Sequence, residues 1–254
     1  MRGLHPQRRA AAAVNRVTMS HKVVAIKREL RRIASREKAE ASRWFFKTGP
    51  GEYGDGDRFI GVGVPDLRRM AKRCDDLTLD ETAELLASPI HEERLLALLV
   101  MVRLYDRSNQ PARRKIYMLY LSNTRYINNW DLVDLSAHHI VGSYLENRSR
   151  RPLYRLAKSK SLWERRISVL ATFHFIRNHD FEDALNIAER LLTDEHDLIH
   201  KAVGWMLREI GKRRPAVEER FLKDHYTAMP RTMLRYAIEK FPERKRQRYL
   251  KGKA

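Results

Sequence analysis

Disulfides and membrane-spanning segments are the first features that this sequence lacks. It contains a single cysteine, Cys74, so no disulfide can form within the chain. That absence is typical of proteins from a reducing compartment and argues against secretion. The longest apolar run, residues 95–102, is far shorter than the roughly 20 residues that a membrane-spanning helix needs. We therefore expect neither a disulfide framework nor a membrane partner.

The short motifs of several enzyme classes are also missing. There is no His-Glu-x-x-His, no cysteine cluster, no Gly-x-Ser-x-Gly and no phosphate-binding loop. This excludes the zinc peptidases, α/β-hydrolases and P-loop nucleotide hydrolases that carry these motifs. His196 and His200 would share one helix face, but no third metal ligand lies near them in the sequence. We therefore expect no metal site and no cofactor.

One glycine-rich segment, residues 48–57, could suggest a loop that cradles phosphate. No Lys-Ser/Thr pair follows it, and no strand precedes it with the spacing of a dinucleotide-binding motif. We interpret the segment as a surface loop that leads into a helix opened by Pro65.

Acidic side chains are scarce relative to basic ones. The chain has 51 Lys and Arg against 32 Asp and Glu, a formal net charge of +19. Such an excess favours a polyanionic partner, because neutralising phosphates releases the counterions condensed on a nucleic acid. The alternative is a basic tail, but residues 1–19 contain only four of the basic side chains. We therefore expect a nucleic-acid partner.

Residues 1–20 are rich in Arg and Ala, and they show neither acids nor an apolar pattern. We interpret them as a disordered basic tail, or as an upstream extension if Met19 is the true first residue. An organelle-targeting segment is the third alternative, although such segments usually contain more serine. Residues 21–254 are predicted to form one domain.

Helical signals recur along that domain, whereas strand patterns are hard to find. Val23, Ile26 and Leu30 are spaced three or four apart, as on one face of a helix. Helix starts are predicted at Ser88-Pro89, Ser161, Asp180, Asp197 and Pro230. Helix pairs recur about every 35–45 residues, a period typical of HEAT-like repeats. The sequence thus predicts an all-α, HEAT-like helical-repeat solenoid of about ten to twelve helices with a concave basic face.

Three clusters combine tryptophan with a charged residue at helical spacing. Trp130 and Asp134 are four apart, while Trp163 and Arg166, and Trp205 and Arg208, are three apart. Core packing is the alternative for the tryptophans, and surface stacking is the alternative for the arginines. Gly204, next to Trp205, costs a helix about 1 kcal/mol relative to Ala, so we expect a close approach there.

Five segments together resemble the AlkD family of DNA glycosylases, in order, over about residues 22–250. The three core segments are Asn128–Asp134, Leu162–Arg166 and Lys201–Glu209. Residues 37–47 are similar to the family's N-terminal substrate-facing helix, and residues 59–68 to the turn that follows it. Short motifs are weak individually, but their number and order make chance similarity implausible.

The resemblance implies a role for seven residues of this sequence. Asp134 takes the place of the catalytic carboxylate, and Trp130 and Trp205 take the places of two tryptophans that contact the sugar. The predicted DNA-binding residues are Arg166 and Arg208 at phosphates, together with Phe45 and Trp163. Phe45 stands where the family commonly has Tyr, so it keeps the ring and loses the hydroxyl.

The resemblance also implies excision of cationic N3- or N7-alkylated purines from double-stranded DNA without base flipping. Such a base leaves as a neutral molecule, so no general acid is needed. One carboxylate stabilises the oxocarbenium-like sugar and orients water. Two indole faces add about 1–2 kcal/mol each through cation–π attraction.

Two other functions remain open from the sequence. One is a non-catalytic HEAT-like protein that binds branched or damaged DNA, and the other is a HEAT scaffold for proteins. The helix predicted at residues 35–47 and the presence of Asp134 with both tryptophans favour the glycosylase. We expect a monomer, located with the nucleoid in a bacterial cytoplasm or in a eukaryotic nucleus.

Overall fold

The computed structural model describes residues 20–253, and within that range helices form the regular secondary structure. One isolated bridge between Arg58 and Ile90 is the only β-type pairing in the described range. The predicted all-α, helical-repeat fold is therefore confirmed. The tail predicted for residues 1–20 lies outside the described residues, apart from Ser20.

Fifteen α-helices follow one another in the described range, more than the ten to twelve predicted, because several are short segments of fewer than ten residues. They are α1 (His21–Arg32), α2 (Arg36–Phe45), α3 (Val64–Ala71), α4 (Leu79–Leu86), α5 (His91–Arg107), α6 (Gln110–Ser122), α7 (Trp130–Asp134), α8 (Ser143–Leu145), α9 (Arg151–Leu156), α10 (Leu162–Arg177), α11 (Glu182–Arg190), α12 (Asp197–Gly211), α13 (Pro215–His225), α14 (Arg231–Ala237) and α15 (Glu243–Leu250). A π-turn, His138–Gly142, connects α7 to α8, and 3₁₀ turns span Thr124–Tyr126 and Ile238–Lys240. No helix in this range is both long and apolar enough to cross a membrane.

An inner row of helices forms the core. In this row α5 contacts α7, α7 contacts α10, α10 contacts α12 and α12 contacts α14. Helices α4, α9, α11 and α13 pack against them from outside. Most residues of α5 and α10 are buried, as expected for helices that are covered on several sides.

The predicted helix starts differ in their outcome. Ser161 caps α10 as expected, since its side chain accepts a hydrogen bond from the Glu164 N–H. Asp197 is the first residue of α12, and His196 is the cap. Pro230 precedes α14 as predicted.

Two other predicted starts are wrong. Helix α5 begins at His91 instead of Pro89 because the Ser88 hydroxyl accepts from the Ile90 N–H and donates to Glu93, at 3.0 and 2.6 Å. These two bonds hold residues 88–90 in a turn. Similarly, Asp180 is not a cap, since Phe181 precedes the first residue of α11.

Gly204 lies where α12 and α14 touch. A Cβ at this position would lie 2.4 Å from the Met233 carbonyl oxygen and 2.5 Å from the Tyr236 Cβ. Glycine is thus required for the packing of two helices, which explains its helix cost.

Gly61 performs a similar task for α2. Its φ is +81°, and a Cβ there would lie 2.0 Å from the Ser35 carbonyl oxygen. Ser35 is the cap of α2, and its N–H donates to the Ile60 carbonyl at 3.0 Å. The turn at residues 60–61 therefore fixes the start of α2, whose far end carries Phe45.

Candidate active site

A cavity of about 640 Å³ opens where α2, α7, α10, α12 and α14 meet the glycine-rich loop. Its lining consists of Phe45, Lys47, Tyr53, Trp130, Asp134, Arg166, His196, Asp197, Leu198, Lys201, Trp205, Arg208 and Tyr236. Six of the seven residues predicted from the sequence are in this set. The fold therefore brings together side chains that are up to 163 positions apart (Phe45 and Arg208).

Asp134 is the last residue of α7, one turn after Trp130. Only 14% of its side chain is exposed. The π-turn His138–Gly142 follows within a few residues, and such turns are frequent at functional sites. The short α7 thus presents an indole and a carboxylate to the same cavity.

Arg166 holds the Asp134 carboxylate in a two-pronged ion pair. Its Nε donates to Oδ1 at 2.9 Å and its Nη2 to Oδ2 at 2.7 Å. Its Nη1 donates to the Leu198 carbonyl at 2.5 Å. This planar fork matches a carboxylate in geometry as well as charge.

Arg166, which the resemblance predicts at a phosphate, is largely buried in this structure. The residue is 5% exposed, and each of its three guanidinium nitrogens already donates to a protein oxygen. Arg166 thus lies in the first turns of α10 and lines the cavity with three of its five N–H donors already bonded to protein oxygens. In this structure Arg166 positions Asp134.

Burial also acts on the acidity of Asp134. Loss of solvent raises the pKa of this carboxyl above its ordinary value, while the charge and hydrogen bonds of Arg166 counteract that rise. The ion pair with Arg166 therefore offsets part of the penalty that burial imposes on the charged form of Asp134.

Trp205 and Arg208 both project from α12 into the cavity, as their spacing predicts. The Trp205 indole N–H donates to Glu209 at 3.3 Å, which fixes the ring plane. Arg208 forms an ion pair with Glu239, and its Nε is buried without a hydrogen-bond partner. Arg208 thus has spare donor capacity beside the cavity.

The end of α2 places aromatic rings around Trp130. Phe46 stacks on Trp130 with ring centroids 5.3 Å apart and an interplanar angle of 24°. Phe45 meets Trp130 edge-on at 5.8 Å, and 56% of Phe45 is exposed. Phe45 is therefore the ring available to a ligand, while the neighbouring Phe46, which the sequence reasoning missed, supports the indole.

Trp163 is the predicted residue that does not line the cavity. Its ring packs edge-on against Tyr53 at 6.2 Å. Tyr53 itself lies in the glycine-rich loop, so that segment is more than the expected surface loop. The Tyr53 hydroxyl donates to the Phe45 carbonyl at 3.4 Å, and burial raises its pKa. Its position as a single aromatic residue within the glycine-rich segment is the sequence feature that could have indicated Tyr53 as a site residue.

A buried network of charged side chains contacts the start of α7. The His91 ring lies between two carboxylates, 2.8 Å from Asp57 and 2.8 Å from Asp131. Arg94 donates to the other Asp57 oxygen at 2.6 Å, and Asn129 also donates to Asp57 at 3.2 Å. The network ties the glycine-rich loop and α5 to the start of α7, next to Trp130.

Charges within this network hold one another ionised. Burial opposes the imidazolium, but Asp131 and Asp57 outweigh that effect and raise the pKa of His91 to about 9. Burial likewise acts to raise the pKa of Asp57, yet His91 and Arg94 hold it at about 2. No local sequence pattern indicates this network, since its members come from three segments that lie 34 or more positions apart.

A second carboxylate, Asp197, also lines the cavity. Burial would raise its pKa, but hydrogen bonds from Lys201 and Thr232 lower it below the ordinary value. The Lys201 ammonium lies 2.7 Å from it. Asp197 is therefore an ionised carboxylate with a cation of its own.

The histidines considered as metal ligands have other partners. His196 caps α12 by accepting from the Leu198 N–H at 3.1 Å, and His200 bonds the Asp194 carbonyl. Across residues 20–253 no group of three or more His, Cys, Asp or Glu side chains is arranged to hold a metal ion.

Comparisons with known proteins agree with this architecture. The chain is similar to a predicted DNA alkylation repair enzyme from Enterococcus faecalis, with a TM-score of 0.64 and 15% identity over 83% of this chain and 97% of that one. It is also similar to AlkD2 from Streptococcus mutans, with a TM-score of 0.50 and 16% identity over 88% and 99% of the two chains. These likenesses support the helical-repeat fold.

No curated protein matches the chain. The family model of DNA alkylation repair enzymes, in contrast, matches residues 26–241, most of the chain and all of the cavity-lining residues. Membership in that family implies DNA as a partner. The protein therefore belongs to the DNA alkylation repair enzyme family.

Proposed function

We propose that this protein is a DNA glycosylase that hydrolyses the N-glycosidic bond of cationic N3- or N7-alkylated purines in duplex DNA. The observation that carries the proposal is the Asp134 carboxylate, held by Arg166 in a cavity that Trp130 and Trp205 also line. An anion between electron-rich rings is the environment that a positively charged sugar requires.

The reaction needs few groups because the damaged base is already charged. The base departs with the electron pair of its glycosidic bond and becomes neutral. The sugar is left as an oxocarbenium-like cation, which Asp134 stabilises. Water adds to the anomeric carbon, and its proton passes to Asp134 or to solvent. Asp134, Trp130 and Trp205 are the proposed catalytic residues.

Arg166 acts in this proposal as a positioning residue. Its fork fixes both oxygens of Asp134 and opposes the rise in the pKa of this carboxyl that burial causes. A phosphate contact is assigned to Arg208, which lines the cavity and whose ion-pair partner Glu239 is exposed, with Phe45 packing against the DNA backbone at the rim.

The second carboxylate does not supply a general acid. Since Lys201 and Thr232 lower the pKa of Asp197, that group is ionised at neutral pH and has no proton to donate. A site without an acid discriminates against neutral bases, which must be protonated to leave. This supports cationic lesions as the substrate class.

The cavity lining also supports a mechanism without base flipping. A pocket for an extruded base reads the Watson–Crick edge through hydrogen-bonding side chains. This lining contains no Asn or Gln, the side chains whose amide pairs a donor with an acceptor as a base edge does. Aromatic rings and cations predominate, which suits a deoxyribose and its phosphates rather than a base.

The test is release of 7-methylguanine from alkylated duplex DNA by the wild type and by Asp134→Asn. We expect release by the wild type, loss of release by the variant, and binding of duplex DNA by both. Asp183→Asn is the matched control, since Asp183 also pairs with an arginine (Arg150, at 2.6 Å) but lies outside the cavity.

Full activity of Asp134→Asn would contradict the proposed mechanism. A wild type that binds alkylated DNA and releases no base would favour the non-catalytic DNA-binding alternative. Loss of release in Asp183→Asn as well would trace the defect to stability, which thermal melting of both variants would reveal.

A further inference from the structure

A second cleft of about 420 Å³ lies beside the candidate active site and is not used by the proposed reaction. It opens between the end of the glycine-rich loop, the turn before α5 and the segment before α7. Three arginines line it: Arg58, Arg94 and Arg125. We call it the arginine cleft.

Two of these arginines form no ion pair with a carboxylate of the described residues. Arg58 and Arg125 are exposed, and neither side chain forms an ion pair within residues 20–253. Arg125 rests over the Tyr126 ring, with 4.6 Å from its guanidinium carbon to the ring centroid. That stacking holds the guanidinium in place without neutralising it.

The third arginine forms the floor. Arg94 is only 4% exposed, and its Nη2 donates to Asp57 and its Nη1 to the Ser88 carbonyl. Its Nε is buried and has no partner, and neither has the Asn128 Oδ1. The cleft therefore contains one hydrogen-bond donor and one acceptor that no protein atom satisfies.

Two acidic residues also line the cleft, and only one of them is paired with cations. Asp57 is shared by Arg94 and His91. Asp55 accepts a hydrogen bond from the Gly51 N–H at 3.0 Å. One free carboxylate charge, that of Asp55, faces the two unpaired cations of Arg58 and Arg125, so the cleft favours an anion.

The cleft adjoins the cavity along the chain at two points. Tyr53 lines the cavity and Asp55 lines the cleft, and likewise Trp130 lines the cavity and Asn128 the cleft. Two residues span at most about 7 Å, close to the rise of two nucleotides along one strand. A DNA strand that crosses the cavity therefore reaches the cleft within a few nucleotides.

We infer that the arginine cleft binds a DNA phosphate beside the lesion, with Arg58 and Arg125 supplying the positive charge. This inference rests on the proposed function in taking duplex DNA as the ligand, but it requires no base excision. The contact positions the strand and carries no sequence preference, as expected of phosphate contacts.

The test uses the double variant Arg58→Gln/Arg125→Gln and an undamaged duplex. The measurement is the slope of log K against log salt concentration from fluorescence anisotropy. Loss of one phosphate contact should reduce the magnitude of this slope by about 0.9. Arg94 is left intact, because breaking its buried pair would disturb folding.

The matched control is Arg114→Gln/Lys115→Gln, which removes the same charge from exposed positions on α6, away from both the cavity and the cleft. Its slope should remain that of the wild type. An unchanged slope in the cleft variant, or an equal loss in the control, would overturn the inference.

Base release separates this inference from the proposed function. The control variant Arg114→Gln/Lys115→Gln should release 7-methylguanine at the wild-type rate, whereas the cleft variant should release it more slowly when protein is limiting, because it binds the duplex more weakly. If the slope of the cleft variant falls while the wild type releases no base, phosphate binding by the arginine cleft is supported and the glycosylase proposal is contradicted. If the slope of the cleft variant is unchanged while the wild type releases base, only the inference about the arginine cleft is contradicted.

Discussion

The guanidinium of Arg166 donates to both carboxylate oxygens of Asp134, at 2.9 and 2.7 Å, across the contact between α10 and α7. A residue predicted to contact a DNA phosphate thus holds the carboxylate in place. Both members of the pair are largely buried, so either one alone would leave an uncompensated charge.

Replacing Arg166 by Lys should slow excision strongly while leaving the salt dependence of DNA binding unchanged. Lysine keeps the charge but offers a single point of contact, so one Asp134 oxygen loses its partner. We expect a rate loss on the order of 100-fold, comparable to removal of one preorganised donor. Single-turnover release of 7-methylguanine measures the rate. A slope reduced by about one unit would instead place Arg166 at a phosphate.

Trp130→Ala and Trp205→Ala should each slow excision more than they weaken binding. Loss of about 1–2 kcal/mol of cation–π attraction to the sugar corresponds to roughly 5- to 30-fold in rate. Trp130→Phe and Trp205→Phe keep an aromatic face and should recover part of the loss. If affinity falls and the rate at saturation does not, these rings serve packing or DNA binding alone.

The His91 network should make stability depend on pH in the alkaline range. The pKa of His91 rises from 6.5 to about 9 on folding. Its contribution is therefore complete below about pH 6.5 and is lost as the pH rises through about 9. The free energy of unfolding, measured by urea titration, should decrease over this window by on the order of 3 kcal/mol.

His91→Gln is the variant that checks this assignment. It should be less stable than the wild type at pH 6.5 and show a flatter profile between pH 6.5 and 9. An identical slope in both proteins would mean that other groups cause the pH dependence.

On the acid side Asp57, with its pKa lowered to about 2, contributes to stability above about pH 4 and loses its contribution as the pH falls through 2.

Gly204→Ala should destabilise the protein by about 1–3 kcal/mol, the usual cost of overpacking. The new methyl group would meet the Met233 carbonyl of α14, so α12 must shift and carry Trp205 with it. Thermal melting and base release should both decline. Gly49→Ala is the control, because its Cβ would meet only the flexible Glu52 side chain.

The sequence predicted well where the site depends on local geometry. Trp130 and Asp134 share a helix face, as do Trp205 and Arg208, because the helical repeat fixes which side chains lie together. Trp163 shows the limit of this reasoning. It is three residues from Arg166, yet the ring packs behind Tyr53 rather than in the cavity.

Contacts between distant segments could not be predicted. The pairing of Arg166 with Asp134 joins residues 32 positions apart, and His91 joins Asp57 and Asp131 across 34 and 40 positions. Such contacts depend on how helices dock, which spacing within one helix does not encode. Tyr53 was missed for the same reason, since only the folded loop delivers it to the cavity.

The residues that line the cavity extend from Phe45 to Tyr236, a range that covers more than three quarters of the sequence. Repeat proteins can fold one neighbouring unit at a time, so a partly assembled molecule presents basic helices before it has a complete wall. DNA affinity can thus precede catalytic competence during folding. A truncated fragment would compete for damaged sites without clearing them.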